Sequence, residues 1–160
     1  MPLQYSLGFE QPRPSRPPVR SDRISSDRTN KLLILVKPDE EAAIRIARIA
    51  DELAADLGFM GRLVRRDLLH FTIHPIGLYA EVPRSVVAAV EACGNTVRMR
   101  PFTVSLNVAK NFHRKSGIPL IVLCGDDGVL GLRTLHDTLG VALTTTFGSV
   151  RPSSFEPHMT

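Results

Sequence analysis

The chain has 160 residues, a formal net charge of +4 and a sequence pI of about 9.5. This length supports one domain, or one domain made of two similar lobes, and a hydrophobic fraction of 43% is enough for a core. No apolar run approaches the roughly 18 residues of a membrane helix, and the first residues lack the basic and apolar segments of a secretion signal. We therefore expect a soluble cytoplasmic protein without a membrane partner, whose mild basicity fits either a polyanionic ligand or a solvated surface.

Residues 1–30 are predicted to form a flexible tail. The segment interleaves prolines with arginines and continues into polar residues, so it cannot bury enough apolar surface to offset the entropy cost of ordering. The tail could contact a nucleic-acid backbone, although a flexible arm without chemistry of its own is the simpler interpretation. Order is expected to begin at Lys31, which gives a single domain over residues 31–160.

The first strand and helix of this domain follow from the hydrophobic pattern. Leu32–Val36 is a wholly apolar run, which is typical of a buried strand. The segment Pro38–Glu41 places proline and acidic residues in a first helical turn, and apolar residues then recur at helical spacing as far as Leu57. Gly58 is expected to end this helix.

The next strand carries polar residues on one face. Apolar and polar residues alternate over Leu68–Ile76, which predicts a strand that shows His70, Thr72 and His74 on its polar side.

The remaining elements are predicted from periodicity and from turn residues. They are a helix over Pro83–Cys93 ended by Gly94–Asn95, strands over Phe102–Val108 and Pro119–Cys124, a turn over Gly125–Gly128 and a helix over Leu130–Leu139. Thr144–Phe147 fits either a strand or a loop. Cys93 and Cys124 form no C-x-x-C pair and lie in apolar segments, so both are predicted to be buried thiols in a reducing compartment.

This succession of helices and alternating strands predicts the α+β class, with helices covering one face of a largely antiparallel sheet. Each half of the domain runs strand, helix and then a His-x-Thr tripeptide. We therefore expect two pseudo-symmetric lobes of antiparallel sheet, with helices on the outer faces and a central cleft. The sheet face that carries the histidines and threonines is expected to stay open.

The two tripeptides are the most informative feature of the sequence. His70-Phe71-Thr72 is called the first motif and His158-Met159-Thr160 the second motif; they lie 88 positions apart. On a strand, residues at i and i+2 point to the same side, so each motif presents an imidazole beside a hydroxyl. If the two motifs face each other, two titratable groups and two donors surround one point, which suits a phosphodiester.

The other histidines have weaker claims to function. His74 either touches the ligand or lines the mouth of the cleft, and His136 fits a structural or exposed position on a helix. A metal held by His70 and His74 is not expected, because i and i+4 on a strand lie ~13 Å apart. The segment Lys110–Lys115 combines basic residues with Phe112 and His113; it fits either an exposed loop or a surface that stacks a base and attracts phosphates.

At this point the chain resembles the 2H phosphoesterases, and within them the bacterial group called 2′-5′ RNA ligases or RNA 2′,3′-cyclic phosphodiesterases. The resemblance runs from about Lys31 to Thr160. The matching segments are Leu32–Glu41, Arg65–Thr72, Pro101–Leu106 and Phe155–Thr160. The last is the most specific, because the flanking phenylalanine and proline accompany the second motif.

The resemblance implies metal-independent hydrolysis of 2′,3′-cyclic phosphodiesters, in RNA ends or small cyclic nucleotides, to 2′-phosphates, with reversible 2′-5′ RNA ligation as a candidate side activity. His70 would donate a proton to the leaving ribose oxygen and His158 would accept one from water; the sequence leaves the reverse assignment open. Thr72 and Thr160 would bind the non-bridging oxygens. No cofactor or metal is implied, and a monomer is expected.

Two other functions fit the same residues. One is a phosphodiesterase that acts on ADP-ribose cyclic phosphate or on 2′-5′ oligonucleotides, and the other is an RNA-end-binding module without turnover. The sequence also departs from the group, since Phe71 stands as a tolerable substitute for the usual Leu or similar apolar residue, and the sequence ends at Thr160, where members of the group continue the strand. A carboxylate at that position is expected to disfavour a bound phosphate and to lower activity.

Overall fold

The structure is a computed structural model that describes residues 29–59, 63–113, 119–148 and 154–160. In chain order, its main elements are β1 (Asn30–Val36), α1 (Glu40–Asp56), β2 (Phe71–Tyr79), α2 (Arg84–Thr96), β3 (Val108–His113), β4 (Pro119–Cys124), α3 (Leu130–Phe147) and β5 (His158–Met159). The predicted tail, apart from its last two residues, lies outside the described residues.

The strands form one open antiparallel sheet in the order β1-β2-β5-β4-β3. The short strand β5, which is the last in sequence, therefore lies at the centre of the sheet, between β2 and β4. This architecture confirms the predicted α+β class, whereas the division into two lobes around a central cleft stays a prediction. None of the described helices is long and apolar enough to cross a membrane.

One face of the sheet, which we call the core face, packs against α3. Phe71 and Ile73 of β2 and Met159 of β5 are buried there together with Leu132 and Leu139 of α3. Burying a side chain of this size stabilises the fold by about 1.5–3 kcal/mol. Helix α2 packs against α3, so the helices lie on one side of the sheet.

Helix α1 begins and ends as its sequence predicts. The Asp39 side chain accepts a hydrogen bond from the Ala42 amide at 2.7 Å. Two glutamates occupy the first turn, where their negative charges interact favourably with the positive end of the helix dipole. At the other end Gly58 has φ of +60°, and the Gly58 and Phe59 amides bond back to Ala55 and Ala54. This pair of hydrogen bonds forms a Schellman motif, in which glycine is the residue that adopts a left-handed backbone at least cost.

The strand predicted over Phe102–Val108 does not form, and β3 begins only at Val108. The backbone before β3 makes two separate main-chain hydrogen bonds. The Ser105 amide donates to the Gly128 carbonyl, and the Asn107 amide donates to the Cys124 carbonyl. The alternating pattern therefore does not mark a regular strand here, and the segment makes single main-chain bonds to Gly128 and Cys124 instead. Lys110 and Phe112, for which a loop was one interpretation, lie in β3.

Helices α2 and α3 run further than their sequences suggest. Gly94 and Asn95 lie inside α2 because the apolar face continues to Val97, which packs against the core. Thr144–Phe147 forms the end of α3, and Thr145 satisfies its hydroxyl by donating to the Val141 carbonyl within the helix. The prediction of buried thiols is confirmed, since both cysteines are free and buried.

A β-bulge in β2 changes which residues share a face. Leu35 pairs with Thr72 and Ile34 pairs with His74, which leaves Ile73 as the extra residue. Ile73 and His74 are consequently both buried, at 1% and 3% exposure. The prediction that His74 shares a face with His70 and Thr72 is wrong, because strict alternation stops at the bulge.

His74 instead belongs to a stack of three rings on the core side. Its ring lies 4.2 Å from that of His136, which in turn lies 4.3 Å from the ring of Phe155. His74 Nε2 donates to the His136 carbonyl at 2.8 Å, which identifies Nε2 as the protonated nitrogen because a carbonyl only accepts. The stack joins β2 and α3 to the segment that leads into β5.

Gly128→Ala should lower the free energy of unfolding by about 1–3 kcal/mol, as overpacking does. An added Cβ would lie 2.6 Å from the Ser105 carbonyl oxygen and 2.7 Å from the Ser105 Cβ. As a control, Gly94→Ala should stabilise α2 by about 0.5–1 kcal/mol, since nothing lies within 4 Å of its Cβ. Urea denaturation of both variants measures the difference, and a neutral Gly128→Ala would contradict the close packing of Ser105 on this turn.

His74 should make stability depend on pH below neutrality. Burial lowers the pKa of His74 below its ordinary value of 6.5, so the unfolded chain binds this proton more readily than the folded one. Stability from this group is therefore present above about pH 6.5 and is lost as the pH falls towards the folded-state pKa. We expect the stability of the wild type to fall relative to His74→Gln when urea denaturation is repeated from pH 7.5 to pH 5; parallel curves would contradict this prediction.

Candidate active site

The two His-x-Thr motifs lie side by side as paired antiparallel strands. Phe71 pairs with Met159, and His70 and Thr160 exchange both main-chain hydrogen bonds, with N···O distances of 3.0 and 3.2 Å. The same register sets Thr72 opposite His158. Since Phe71 and Met159 lie on the core face, the four motif side chains share the opposite face, which we call the site face.

This register relates the two motifs by a local twofold axis. Each histidine stands opposite the threonine of the other motif, so the two imidazoles occupy one diagonal and the two hydroxyls the other. Diagonal neighbours on antiparallel strands lie about 7–8 Å apart. That spacing leaves room for one phosphate between the imidazoles, with hydroxyl donors on both sides. All four side chains are half-buried, which keeps them accessible.

Both imidazoles are held in the same tautomer. His70 Nδ1 lies 2.7 Å from the Leu68 carbonyl oxygen, and His158 Nδ1 lies 2.8 Å from the Glu156 carbonyl oxygen. A carbonyl only accepts, so Nδ1 carries the proton in each ring. Nε2 makes no hydrogen bond to another described residue in either case. It is therefore a base when the ring is neutral and a donor when the ring is charged.

The carbonyl that orients His70 comes from a short 3₁₀ turn, Arg66–Leu68. Arg65 donates two hydrogen bonds to the Asp67 carboxylate, at 3.0 and 2.6 Å, and lowers the pKa of that carboxyl. Lys37, just beyond β1, donates to the Asp67 main-chain carbonyl at 3.0 Å. These contacts hold the turn that precedes the first motif.

Side chains of β3 and α3 contact the segment that precedes the second motif. Lys110 forms an ion pair with the Glu156 carboxylate, which lowers the pKa of Glu156 and raises the pKa of Lys110. Arg133 donates to the Phe155 carbonyl at 2.9 Å. Pro157 is buried, so the segment is fixed at both sides of Glu156.

The strands beyond β5 add an apolar floor to the site face. Cys124 pairs with His158, and the register sets Val122 opposite Thr160; both are almost fully buried. Burial raises the pKa of the Cys124 thiol, which favours its neutral form. On β3, the Phe112 ring lies 4.8 Å from the His158 ring. The contacts of Lys110 with Glu156 and of Phe112 with His158 could not be predicted from the sequence, which showed only a basic segment with an aromatic residue.

Other candidates lie elsewhere. His74 and His136 are part of the ring stack on the core side, and the structure does not place them on the site face. A cavity of about 660 Å³ opens between the start of α1 and the segment 64–69, on the side of Leu69 rather than His70. Arg114 and Lys115 lie outside the described residues. Within the described ranges, no group of three or more His, Cys, Asp or Glu side chains is arranged to hold a metal ion.

Comparisons with known proteins bear on the family of the chain. No curated protein and no solved structure matches the chain. A family model described as "LigT like Phosphoesterase" matches residues 36–119, which is more than half of the chain and includes the whole first motif. The chain belongs to the LigT-like family of 2H phosphoesterases.

Proposed function

We propose that this protein hydrolyses 2′,3′-cyclic phosphodiesters, in RNA ends or in small cyclic nucleotides, to 2′-phosphates without a metal ion. The family supports phosphoesterase activity in general. The observation that carries the narrower proposal is the register of β2 and β5, which sets His70 opposite Thr160 and Thr72 opposite His158. Two hydroxyls and two imidazoles whose Nε2 atoms bond to no other described residue are the groups that this reaction needs.

The reaction needs one proton removed and one supplied. His158 Nε2, neutral, accepts a proton from water as the water oxygen bonds to phosphorus. The bond from phosphorus to the ribose O3′ breaks, and His70 Nε2, charged, donates its proton to that oxygen. The products are a 2′-phosphate and a free 3′-hydroxyl, and the proton passes back from His158 to His70 through solvent before the next turnover.

The diagonal placement of the histidines fits this geometry. The attacking and leaving oxygens lie on opposite sides of the phosphorus, and an acid and a base across a diagonal of about 7–8 Å flank such a centre. Thr72 and Thr160 lie on the other diagonal, where their hydroxyls donate to the non-bridging oxygens. Those hydrogen bonds strengthen as negative charge builds in the transition state.

The direct test is incubation with 2′,3′-cyclic nucleotides and with oligoribonucleotides that end in a cyclic phosphate, in the presence of EDTA. We expect 2′-phosphates as products and a bell-shaped dependence of rate on pH, because one ring must be charged and the other neutral. His70→Ala and His158→Ala should each lower kcat by at least about 10²–10⁴-fold.

Circular dichroism and urea denaturation should show that both alanine variants remain folded. Three outcomes would overturn the proposal: hydrolysis by His158→Ala at the wild-type rate, loss of wild-type activity on chelation, or binding of cyclic-ended RNA without turnover. The last outcome would identify an RNA-end-binding module, and activity confined to ADP-ribose cyclic phosphate or 2′-5′ oligonucleotides would identify a different substrate.

Thr72→Val removes a hydroxyl donor at nearly constant volume. We expect kcat to fall by about 10²-fold, as it does when one donor to a developing oxyanion is removed, while Thr72→Ser should keep most of the activity. Thr138→Val is the matched control, because the Thr138 hydroxyl donates to the Thr134 carbonyl within α3. Equal activity of Thr72→Val and Thr138→Val in the same assay would exclude a role for the Thr72 hydroxyl.

A further inference from the structure

Glu156 joins the second motif to β3 through two different groups. Its main-chain carbonyl accepts from His158 Nδ1 at 2.8 Å, and its side chain pairs with Lys110. The residue that sets the tautomer of His158 is therefore itself held by a lysine from another strand.

A second contact from the same strand reaches the ring of His158. Phe112 follows Lys110 by two positions, so both side chains leave β3 on the same side. The Phe112 and His158 rings lie 4.8 Å apart with their planes tilted by 54°. An aromatic pair of this kind restricts how the imidazole turns about its side-chain bonds.

Main-chain pairing alone holds this region weakly. β5 has only two residues in its ladder, and Pro157 has no N–H to donate. The Glu156 carbonyl thus lies just outside the regular sheet, and its direction depends on what Glu156 and its neighbours contact. The first motif differs, because the Leu68 carbonyl belongs to a 3₁₀ turn that is closed by its own hydrogen bonds, from the Leu68 amide to Arg65 and from the Leu69 amide to Arg66.

We propose that Lys110, Glu156 and Phe112 are positioning residues that keep His158 in its Nδ1–H tautomer, with Nε2 turned towards the phosphate. The catalytic consequence rests on the proposed function, whereas the effect on the tautomer does not. Loss of Lys110 frees the Glu156 side chain and loosens its carbonyl, and the ring then populates orientations in which Nε2 is protonated or misdirected. Misplacement of a catalytic group by about 1 Å costs as much as 10²-fold in rate.

The ion pair is suited to a clean test because removing it should leave the fold intact. The Lys110 and Glu156 side chains are 46% and 47% exposed, and exposed pairs contribute little to stability. We expect Lys110→Met to lower kcat by about tenfold with KM changed less than about twofold. In ¹⁵N NMR spectra of the histidine rings, His158 should lose Nδ1–H population while His70 stays unchanged. Phe112→Leu should alter the same His158 signals.

A charge-reversed double variant distinguishes positioning by the ion pair from an effect of the Lys110 charge alone. The reversed pair, Lys110→Glu combined with Glu156→Lys, should recover most of the kcat and the His158 tautomer, although each single reversal impairs both. Lys31→Met is the matched control, because it removes one exposed lysine from β1 and should change neither readout.

The alternatives give different results. If Lys110 binds substrate phosphate, Lys110→Met raises KM, leaves kcat and the His158 spectrum unchanged, and is not rescued by the reversed pair; this result overturns the proposal. If the protein lacks the proposed hydrolysis, the ring spectra alone decide whether the three residues hold the tautomer. An unchanged His158 spectrum in Lys110→Met overturns the positioning role even if His158→Ala is inactive, in which case the proposed function stands.

Discussion

The structure depends on the pairing of β5 with β2 at the centre of the sheet. Two main-chain hydrogen bonds join His70 to Thr160, and at the next pair of the ladder the pleat directs Phe71 and Met159 into the core. The same pleat therefore does two things at once. Burial of the two apolar side chains fixes the register, and the register fixes where both histidines and both threonines stand. A slip by one residue would expose Met159 and bury an imidazole, so the hydrophobic core protects the geometry of the site.

This arrangement explains how a two-residue strand holds half of the site. β5 contributes few ladder bonds of its own, but it lies between β2 and β4 and is buried through Met159, which pairs with Phe71 on one side and Leu123 on the other. The contact between β2 and β5 joins residues almost 90 positions apart, so the two motifs meet only when this long-range pairing has formed. The ring stack of His74, His136 and Phe155 adds a second link between β2 and the approach to β5.

The local sequence pattern predicted which side chains of each motif share a face. It failed where that position depends on how one strand pairs with another. The i, i+2 spacing of each motif was sufficient to place its histidine and threonine on one side, because that depends only on the pleat. The position of His74 could not be predicted in the same way, since the bulge at Ile73 is defined by how β1 pairs with β2. The fate of Phe102–Asn107 likewise depends on the Gly128 and Cys124 carbonyls, which are distant in sequence. The central place of β5 also follows from long-range pairing, for which the sequence carries no local sign.

A twofold arrangement of two His-x-Thr motifs does not by itself distinguish an acid from a base. Each imidazole donates Nδ1–H to the carbonyl two residues before it, and each lies opposite the threonine of the other motif. The main chain therefore gives the two histidines equivalent surroundings. The difference must come from side chains around the motifs. His70 follows a 3₁₀ turn stabilised by Arg65 and Asp67, whereas His158 contacts Phe112 and depends on a carbonyl whose residue pairs with Lys110. In the proposed mechanism His158 is the base, and these contacts distinguish its ring from that of His70. The assignment of acid and base would then depend on β3 and the 3₁₀ turn rather than on the motifs alone.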